Sequence, residues 1–230
     1  MIPLLREGSI ACWCAGKSSL GGDFDALRSV DVGRAVEHLA CPKPRMARQV
    51  HAIAIDRDGS LAECDAFFLA PGESALVRHA DCFPVVLADP LRSRAVLAHC
   101  GWRGSLAGLA ADCVQELLSK GSSLGDLVAA IGPGISADSF EVGPEVLDAF
   151  PTAFHRRTSW GTPSIDLAAF LEAQLRNAGV KRVDQVWIDT FERESWHSHR
   201  RDGEHSGRNA TICIVEPPRT EPVLNHGEIP

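Results

Sequence analysis

The sequence reads ADCFPVVLADPLRSRAVLAHCGWRG over residues 80–104, and this stretch decides the fold. It holds two apolar runs of strand length, residues 83–88 and 94–98, joined by a short polar segment that opens with Asp-Pro, a pair typical of type I turns. A turn centred on the Pro-Leu pair predicts a hairpin with Cys82 opposite His99 at its open end, their Cβ atoms roughly 4.5–5.5 Å apart. A longer loop would shift the register by a residue or two and leave both side chains at that end.

Three residues that bind zinc well stand in or before this stretch: His51, Cys82 and His99. A thiolate and two imidazoles without an obvious fourth protein ligand are typical of an open catalytic zinc site rather than a closed structural one. We therefore predict a metal site from these three residues, although no local argument joins His51 to the other two. The alternative interpretation of the hairpin pair is a buried cysteine and a core histidine that happen to face each other.

Composition places the chain among soluble globular proteins. It has 230 residues, 45% hydrophobic and 23% charged, which predicts one domain over residues 1–230 with residues 220–230 as an extended tail. A net charge of −7 and the lack of a Lys/Arg-rich run argue against a nucleic-acid-binding surface. No apolar stretch approaches the ~20 residues of a membrane span, and the N-terminus lacks the apolar region and cleavage site of a signal peptide. We expect a cytoplasmic monomer that binds neither nucleic acid nor membrane.

The eight cysteines follow no disulfide spacing pattern, so we expect mostly free thiols in a reducing compartment. Cys12, Cys14 and Cys100 are predicted core thiols, with metal binding as the alternative. Cys100 should point away from His99, because neighbours on a strand face opposite sides of the sheet.

Helical signals become clear after Trp102. Ser105 is the predicted N-cap of an amphipathic helix that Gly121 ends, and the start of this helix would bring backbone N–H groups, a ready anion site, near the metal ligands. The remaining predicted elements are a buried strand at 126–131, a short helix from Pro144 to Phe150, a helix capped by Ser164 and ended by Gly179, and strands near 183–189 and 210–215. Hairpin strands together with helix-flanked strands predict an α+β or mixed α/β class.

The polar loop before the last strand, residues 196–208, is a second candidate for chemistry. Arg200, Arg201 and Arg208 flank glycines there, and in an acidic chain this local reversal of charge predicts binding of an anionic group, phosphate above all. The alternative is a solvated surface loop. His197 and His199 alternate as strand neighbours do and form a weaker candidate for a second metal site.

Six motifs occur in the order found in one known family. They are Gln-Val-His (49–51), Ala-Asp-Cys-x-Pro-Val (80–85), His-x-Gly-Trp-Arg-Gly (99–104), Ile-Gly-Pro-x-Ile (131–135), Phe-Glu-Val-Gly-x-Glu-Val (140–146) and Arg-Arg-Asp-Gly-x-x-x-Gly-Arg (200–208). The chain thereby resembles the YfiH/laccase-domain family, also called multicopper polyphenol oxidoreductases and described as zinc-dependent purine nucleoside phosphorylases. The resemblance covers roughly residues 46–215.

The resemblance implies a fold, a cofactor and activities. The fold is a four-layer α-β-β-α sandwich, and the family's metal ligands fall on His51, Cys82 and His99. The implied cofactor is Zn²⁺, with copper as the alternative metal. The implied activities are phosphorolysis of adenosine, inosine and methylthioadenosine, with a purine nucleoside and phosphate as partners, and deamination of adenosine. Some members are linked to peptidoglycan editing.

Several positions depart from the family's pattern. Residues 15–22 stand where the family has Thr-Arg-x-Gly-Gly-Val-Ser and lack its arginine. Ala52 replaces a glycine, and Cys100 replaces an alanine beside the metal histidine. Arg78 and His79 stand where members commonly carry an apolar residue and threonine. These changes leave the predicted metal site intact and bear on substrate choice and turnover.

The mechanistic hypothesis assigns catalytic roles to Cys82, His99 and Asp81. For deamination, the metal would lower the pKa of a water that attacks the purine C6. For phosphorolysis, arginines would hold phosphate against the ribose C1′. The predicted phosphate-binding residues are Arg103, Arg200, Arg201 and Arg208, and Asp202 is the alternative proton carrier.

Three other functions fit the same residues. Cys82 and His99 could form the thiolate–imidazolium pair of a thiol hydrolase. A copper polyphenol oxidase is the family's older interpretation, but one mononuclear site lacks the histidines of a three-copper cluster. The third is a non-enzymatic role in binding nucleotides or peptidoglycan precursors, such as that of a peptidoglycan-editing factor.

Overall fold

The computed structural model describes residues 1–217, so the predicted tail at 220–230 lies outside the described residues. The strands are β1 (Ile2–Glu7), β2 (Ile10–Ala15), β3 (Ile55–Asp56), β4 (Ala66–Leu69), β5 (Ser74–His79), β6 (Phe83–Asp89), β7 (Arg94–Cys100), β8 (Val128–Ile131), β9 (His155–Arg157), β10 (Pro163–Ile165), β11 (Arg182–Gln185) and β12 (Asn209–Val215). The helices are α1 (Ser29–Leu39), α2 (Trp102–Leu106), α3 (Leu109–Ser119), α4 (Pro144–Leu147), α5 (Leu167–Asn177) and α6 (His199–Asp202). Within residues 1–217, every helix is too short or too polar to cross a membrane.

The hairpin of β6 and β7 forms the centre of the larger sheet. This six-stranded sheet has the order β11-β8-β6-β7-β4-β3, and a four-stranded sheet ordered β1-β2-β12-β5 packs against it. A core of apolar side chains fills the space between the sheets. Its members include Phe67, Leu69, Val77, Val86 and Leu97, each at most 1% exposed.

Helices cover the outer faces of both sheets. α3 and α5 pack on the larger sheet through side chains such as Leu117 and Leu171, and α1 packs on the smaller sheet, with Ala35 in the same cluster as Leu76 and Ile212. Because both faces of the larger sheet are covered, β6 is buried along its whole length and reads as a continuous apolar run. The α+β class and the four-layer α-β-β-α sandwich are confirmed.

The hairpin forms as predicted, but its register differs by two residues. Pro84, not Cys82, pairs with His99. The loop consists of Pro90–Ser93, because the Asp89 carboxylate accepts hydrogen bonds from the N–H groups of the two middle loop residues. Cys82 therefore lies just before β6, still at the open end of the hairpin.

Two helix starts also differ from the predicted ones. Ser105 lies inside α2, where its hydroxyl donates to a carbonyl one turn earlier, and the chain turns at Gly108 (φ 95°) before α3 begins. Asp166 rather than Ser164 caps α5, because its carboxylate accepts a backbone N–H of the first helical turn, whereas Ser164 lies in β10. Both differences leave the helices on the predicted side of the sheet.

Candidate metal centre

Three side chains from separate segments converge at the open end of the hairpin. His51 lies between α1 and β3, Cys82 just before β6, and His99 in β7. Their ligand atoms all lie within 4.8 Å of one another, and Cys82 Sγ is 3.8 Å from His51 Nε2. Among residues 1–217, this is the only such group of three His, Cys, Asp or Glu side chains.

Asp65 holds two of these three side chains in place. Its buried carboxylate accepts hydrogen bonds of 2.8–3.1 Å from the backbone N–H groups of Val50, His51 and Ala52, which stabilises the left-handed backbone of His51 (φ 59°). It also accepts the Nδ1–H of His99 at 2.9 Å, which leaves Nε2 of that ring available to a metal. Sequence reasoning missed Asp65; its signal is an acidic residue directly before an apolar strand.

Gly101 makes room for the cluster. A Cβ at this position would lie 2.6 Å from His51 Cδ2 and 3.1 Å from Cys82 Sγ. Gly104 is similarly constrained, since its Cβ would lie 3.0 Å from the carbonyl oxygen of Ala52. The two glycines of the Gly-Trp-Arg-Gly motif therefore allow the backbone to pass close to the candidate ligands.

The charges of the cluster favour a thiolate beside an imidazolium. Burial raises the pKa of Cys82, but the charge of His99 and hydrogen bonds from His51 and His99 together lower that pKa to about 6. Burial lowers the pKa of His99, but the Cys82 thiolate and Asp65 together raise that pKa to about 9. A thiolate is the form of cysteine that binds a metal ion, and the His99 imidazolium would lose its Nε2 proton when a metal binds.

The cluster opens into a cleft of about 590 Å³. Five arginines line this cleft: Arg48, Arg78, Arg103, Arg200 and Arg208. Sequence reasoning assigned phosphate binding to the last three of these and not to the first two. Apolar side chains line the cleft as well, among them Leu27, Trp102, Ile135, Phe140 and Leu167. Cationic and apolar walls together suit an anion bound beside an uncharged organic ligand.

The structure separates the four predicted phosphate-binding residues. Arg103, Arg200 and Arg208 line the cleft. The guanidinium of Arg201 instead donates to three backbone carbonyls and pairs with Asp202 at 2.9 Å. Arg201 therefore stabilises the polar loop, and this geometry favours a structural role; phosphate binding by Arg201 stays a prediction.

Asp81 holds the polar loop against the hairpin. Its backbone is left-handed (φ 84°), and its carboxylate accepts the Thr190 hydroxyl at 2.8 Å and the backbone N–H of Arg200 at 2.6 Å. Oδ2 thus holds α6, which carries Arg200 to the cleft, and Oδ1 holds the loop that precedes α6. A catalytic role for Asp81 stays a prediction, and this geometry favours a positioning role.

The candidate second metal site of His197 and His199 is not assembled. The buried His197 donates from Nε2 to the carbonyl oxygen of Phe24 at 2.7 Å. His199 is exposed at the start of α6 and lines the cleft. His197 therefore stabilises the loop after β11, and this pair offers no joint metal site.

A four-layer sandwich with a His-Cys-His cluster at one end is the class of protein that the structure defines. The sequence matches the family model described as multi-copper polyphenol oxidoreductase laccase over residues 25–216. The chain belongs to this family, and its resemblance to YfiH-type proteins is confirmed.

Relatives and a solved structure cover much of the chain. A purine nucleoside phosphorylase of Mycobacterium tuberculosis is 31% identical over 206 residues, which cover 85% of this chain and 82% of that protein. An adenosine deaminase from an unknown prokaryotic organism is 37% identical over 145 residues, which cover 59% of this chain and 55% of that protein. The crystal structure of the hypothetical protein YfiH of Bacillus licheniformis matches 90% of this chain and 93% of that chain, with a TM-score of 0.79 at 22% identity, and shares the fold.

Proposed function

We propose that this protein is a zinc-dependent purine nucleoside phosphorylase that acts on adenosine, inosine and methylthioadenosine and also deaminates adenosine. The observation that carries the proposal is the cluster of His51, Cys82 and His99 beside an arginine-lined cleft. The names of two relatives, a purine nucleoside phosphorylase and an adenosine deaminase, support the two reactions. The substrates would be a purine nucleoside with phosphate, or adenosine with water.

Zinc fits the donor set of the cluster. A thiolate and two imidazoles are ligands that Zn²⁺ prefers, and three protein ligands leave a position open. Asp65 accepts the Nδ1–H of His99, so Nε2 would bind the ion once the ion displaces the Nε2 proton, and the lowered pKa of Cys82 supplies the thiolate. When bound, the ion would supply Lewis-acid chemistry. A copper oxidase would need a multinuclear cluster, whereas residues 1–217 assemble one group of three candidate ligands.

The chain's own residues would bind and orient the substrates. The exposed guanidinium groups of Arg103 and Arg200 supply positive charge for phosphate, and Asp81 fixes the backbone of Arg200. Leu27 and Ile135 offer apolar surface to the uncharged nucleoside. Holding both substrates in one cleft reduces the entropic cost of bringing phosphate to the ribose C1′.

A thiol hydrolase is the second candidate, and one observation favours it. His99 lies between Cys82 and Asp65, and its Nδ1–H donates to the Asp65 carboxylate at 2.9 Å. This is the order of groups in a nucleophile–base–acid triad. Iodoacetamide labelling with and without zinc separates the two candidates. Zinc should block alkylation of Cys82 if the protein is a metalloenzyme, and the alkylation rate should stay unchanged if it is a thiol hydrolase.

Metal analysis coupled to product analysis tests the proposed function. Purified protein with measured zinc content is incubated with adenosine and phosphate, and the products are separated by chromatography. Adenine with ribose 1-phosphate is the expected product of phosphorolysis, and inosine that of deamination. If neither product forms with the zinc-loaded protein, the proposed function is wrong.

A matched pair of variants assigns the activity to the cluster. Cys82→Ala should lose bound zinc and both activities, because it removes the thiolate ligand. Cys41→Ala, at a half-buried thiol outside the cleft, should retain both. Zinc content and turnover equal to wild type in Cys82→Ala would disprove the site assignment.

A further inference from the structure

The cleft beside the metal cluster holds more positive charge than one phosphate needs. Among residues 1–217, five arginines and one carboxylate line it. That carboxylate, Asp81, already accepts hydrogen bonds from Thr190 and Arg200. Arg48 is paired with Glu63, whereas the other four arginines form no salt bridge in this part of the chain. A phosphate group carries about −1.5 to −2 charges at neutral pH, so four unpaired guanidinium groups match two such groups better than one.

Arg103 and Arg200 belong to the side of the larger sheet. The Arg103 guanidinium lies 4.2 Å from the centre of the Trp102 ring, and the Arg200 guanidinium lies 5.6 Å from that of Phe140. Both rings pack against the core cluster that α3 and α5 form with the larger sheet. Within residues 1–217 the Arg200 guanidinium donates one hydrogen bond, to the carbonyl of Glu141, and that of Arg103 none. Most N–H donors of this pair are therefore available to a ligand.

Arg78 and Arg208 belong to the smaller sheet. Arg78 lies in β5 opposite Ala210 of β12, and Arg208 directly precedes β12. Ala210 is part of the core cluster beneath α1, and Arg78 faces the same side because register partners on neighbouring strands share a face. Arg208 lies beside the segment before α1, since its N–H donates to Asp25 at 2.8 Å and its carbonyl accepts the N–H of Ala26. The four arginines thus form two pairs on opposite layers of the sandwich.

The metal cluster lies between the two pairs, because His99 projects from the inner face of the larger sheet. In the proposed phosphorylase, the pair on the larger sheet holds the inorganic phosphate. The pair on the smaller sheet is then left for an anionic group on the nucleoside itself. We infer that the cleft accepts nucleoside 5′-monophosphates as substrates, with the 5′-phosphate bound by Arg78 and Arg208. This inference rests on the proposed function and adds a substrate class to it.

Phosphorolysis of such a nucleotide needs no further reactant. An oxygen of hydrogenphosphate forms a bond to C1′ while the C1′–N9 bond breaks, and the hydrogenphosphate proton passes to the departing purine. The products are the free purine and ribose 1,5-bisphosphate. The cleft volume of about 590 Å³ lies within the range of roughly 300–1,000 Å³ that is usual for small-molecule sites.

Calorimetric titration of the zinc-loaded protein compares the binding of adenosine 5′-monophosphate with that of adenosine. We expect the nucleotide to bind at least about ten-fold more tightly, because hydrogen bonds from guanidinium to phosphate are charge-assisted. Arg78→Gln should reduce this preference at least about five-fold, and Arg208→Gln should act in the same direction. Arg6→Gln, at an exposed position of β1 outside the cleft, is the matched control and should keep the preference. Saturating inorganic phosphate should leave the nucleotide bound, since the two anions occupy different pairs.

Three binding results would overturn the inference. They are equal affinity for adenosine and its 5′-monophosphate, competition between the nucleotide and inorganic phosphate, and a preference that Arg103→Gln reduces as much as Arg78→Gln does. The second and third would place the 5′-phosphate in the position of the inorganic phosphate. A preference that survives in both Arg78→Gln and Arg208→Gln would overturn it as well.

Turnover separates this inference from the proposed function. With phosphate present, adenosine 5′-monophosphate should yield adenine and ribose 1,5-bisphosphate, which chromatography detects. A nucleotide that binds without yielding adenine, while adenosine is turned over, would disprove this inference alone. Wild-type protein that converts neither adenosine nor its 5′-monophosphate would disprove the proposed function itself.

Discussion

At the scale of single residues, Asp65 has the widest effect on the candidate metal centre. Its carboxylate accepts three backbone N–H groups of the His51 loop and the Nδ1–H of His99. Asp65→Asn has the same shape but places an amide N–H₂ where one of these donors needs an acceptor. We expect zinc affinity to fall about 10- to 100-fold, measured by competition with a chromophoric chelator. Asp58→Asn, at an exposed position, is the control, and an unchanged affinity in Asp65→Asn would contradict this role.

The Cys82 thiol is the second residue whose surroundings predict a measurable property. Only the thiolate reacts with iodoacetamide, so in protein stripped of metal the alkylation rate should rise through a midpoint near pH 6 and level off above it. His99→Gln removes the neighbouring positive charge and should move the midpoint up toward the ordinary value of 9.0. Mass spectrometry of the labelled peptide measures both profiles. A wild-type midpoint near 9.0 would mean that no thiolate–imidazolium pair forms.

At the scale of elements, the turn from β7 to α2 fixes how closely the ligands approach. A Cβ on Gly101 would lie 2.6 Å from the ring of His51, so Gly101→Ala must displace that side chain. We expect this variant to lose at least about ten-fold in zinc affinity while its melting temperature changes little, since the displaced ring is partly exposed. Gly125→Ala, where a Cβ meets nothing within 4 Å, is the matched control. Equal zinc affinity in both variants would show that His51 is not a ligand.

The hairpin of β6 and β7 could be predicted because its signals are local. Two apolar runs and an Asp-Pro pair define it, and they bring Cys82 and His99 to one end. The register could not be read, because the Asp89 side chain organises a loop of four residues and so moves the pairing from Cys82 to Pro84. A side chain that bonds to a nearby backbone competes with the turn that residue preferences favour.

The position of His51 could not be predicted from its neighbours in sequence. It reaches the cluster through a left-handed backbone that the distant Asp65 carboxylate stabilises. His79 shows the same limit, since the Thr211 hydroxyl that lies 3.0 Å from its Nε2 comes 132 residues later in the chain. Contacts between segments far apart in the chain leave no periodicity in either segment. Family resemblance therefore placed His51 in the predicted site, and the structure showed the Asp65 contacts that hold it there.

At the scale of the whole molecule, packing of the two sheets creates the site. The inner face of the smaller sheet contributes His79 and the inner face of the larger sheet contributes His99, so the cleft lies where the sandwich opens at one end. The first 45 residues gave little sequence signal, because β2 gains its order by pairing with β12 at the other end of the chain. A strand whose order depends on a distant pairing partner leaves little pattern in its own local sequence.

The charge of the whole molecule opposes the charge of its cleft, and this contrast predicts a salt effect. The chain carries a net charge of −7, yet five arginines line the cleft. Raising salt from about 0.05 M to about 0.5 M should raise the KM for phosphate about five-fold, because the guanidinium groups are screened, while the KM for the uncharged nucleoside stays within about two-fold. Arg200→Gln should reduce this salt dependence, whereas Arg176→Gln, on α5 away from the cleft, should not. A parallel rise of both KM values would mean that salt acts on the fold rather than on phosphate binding.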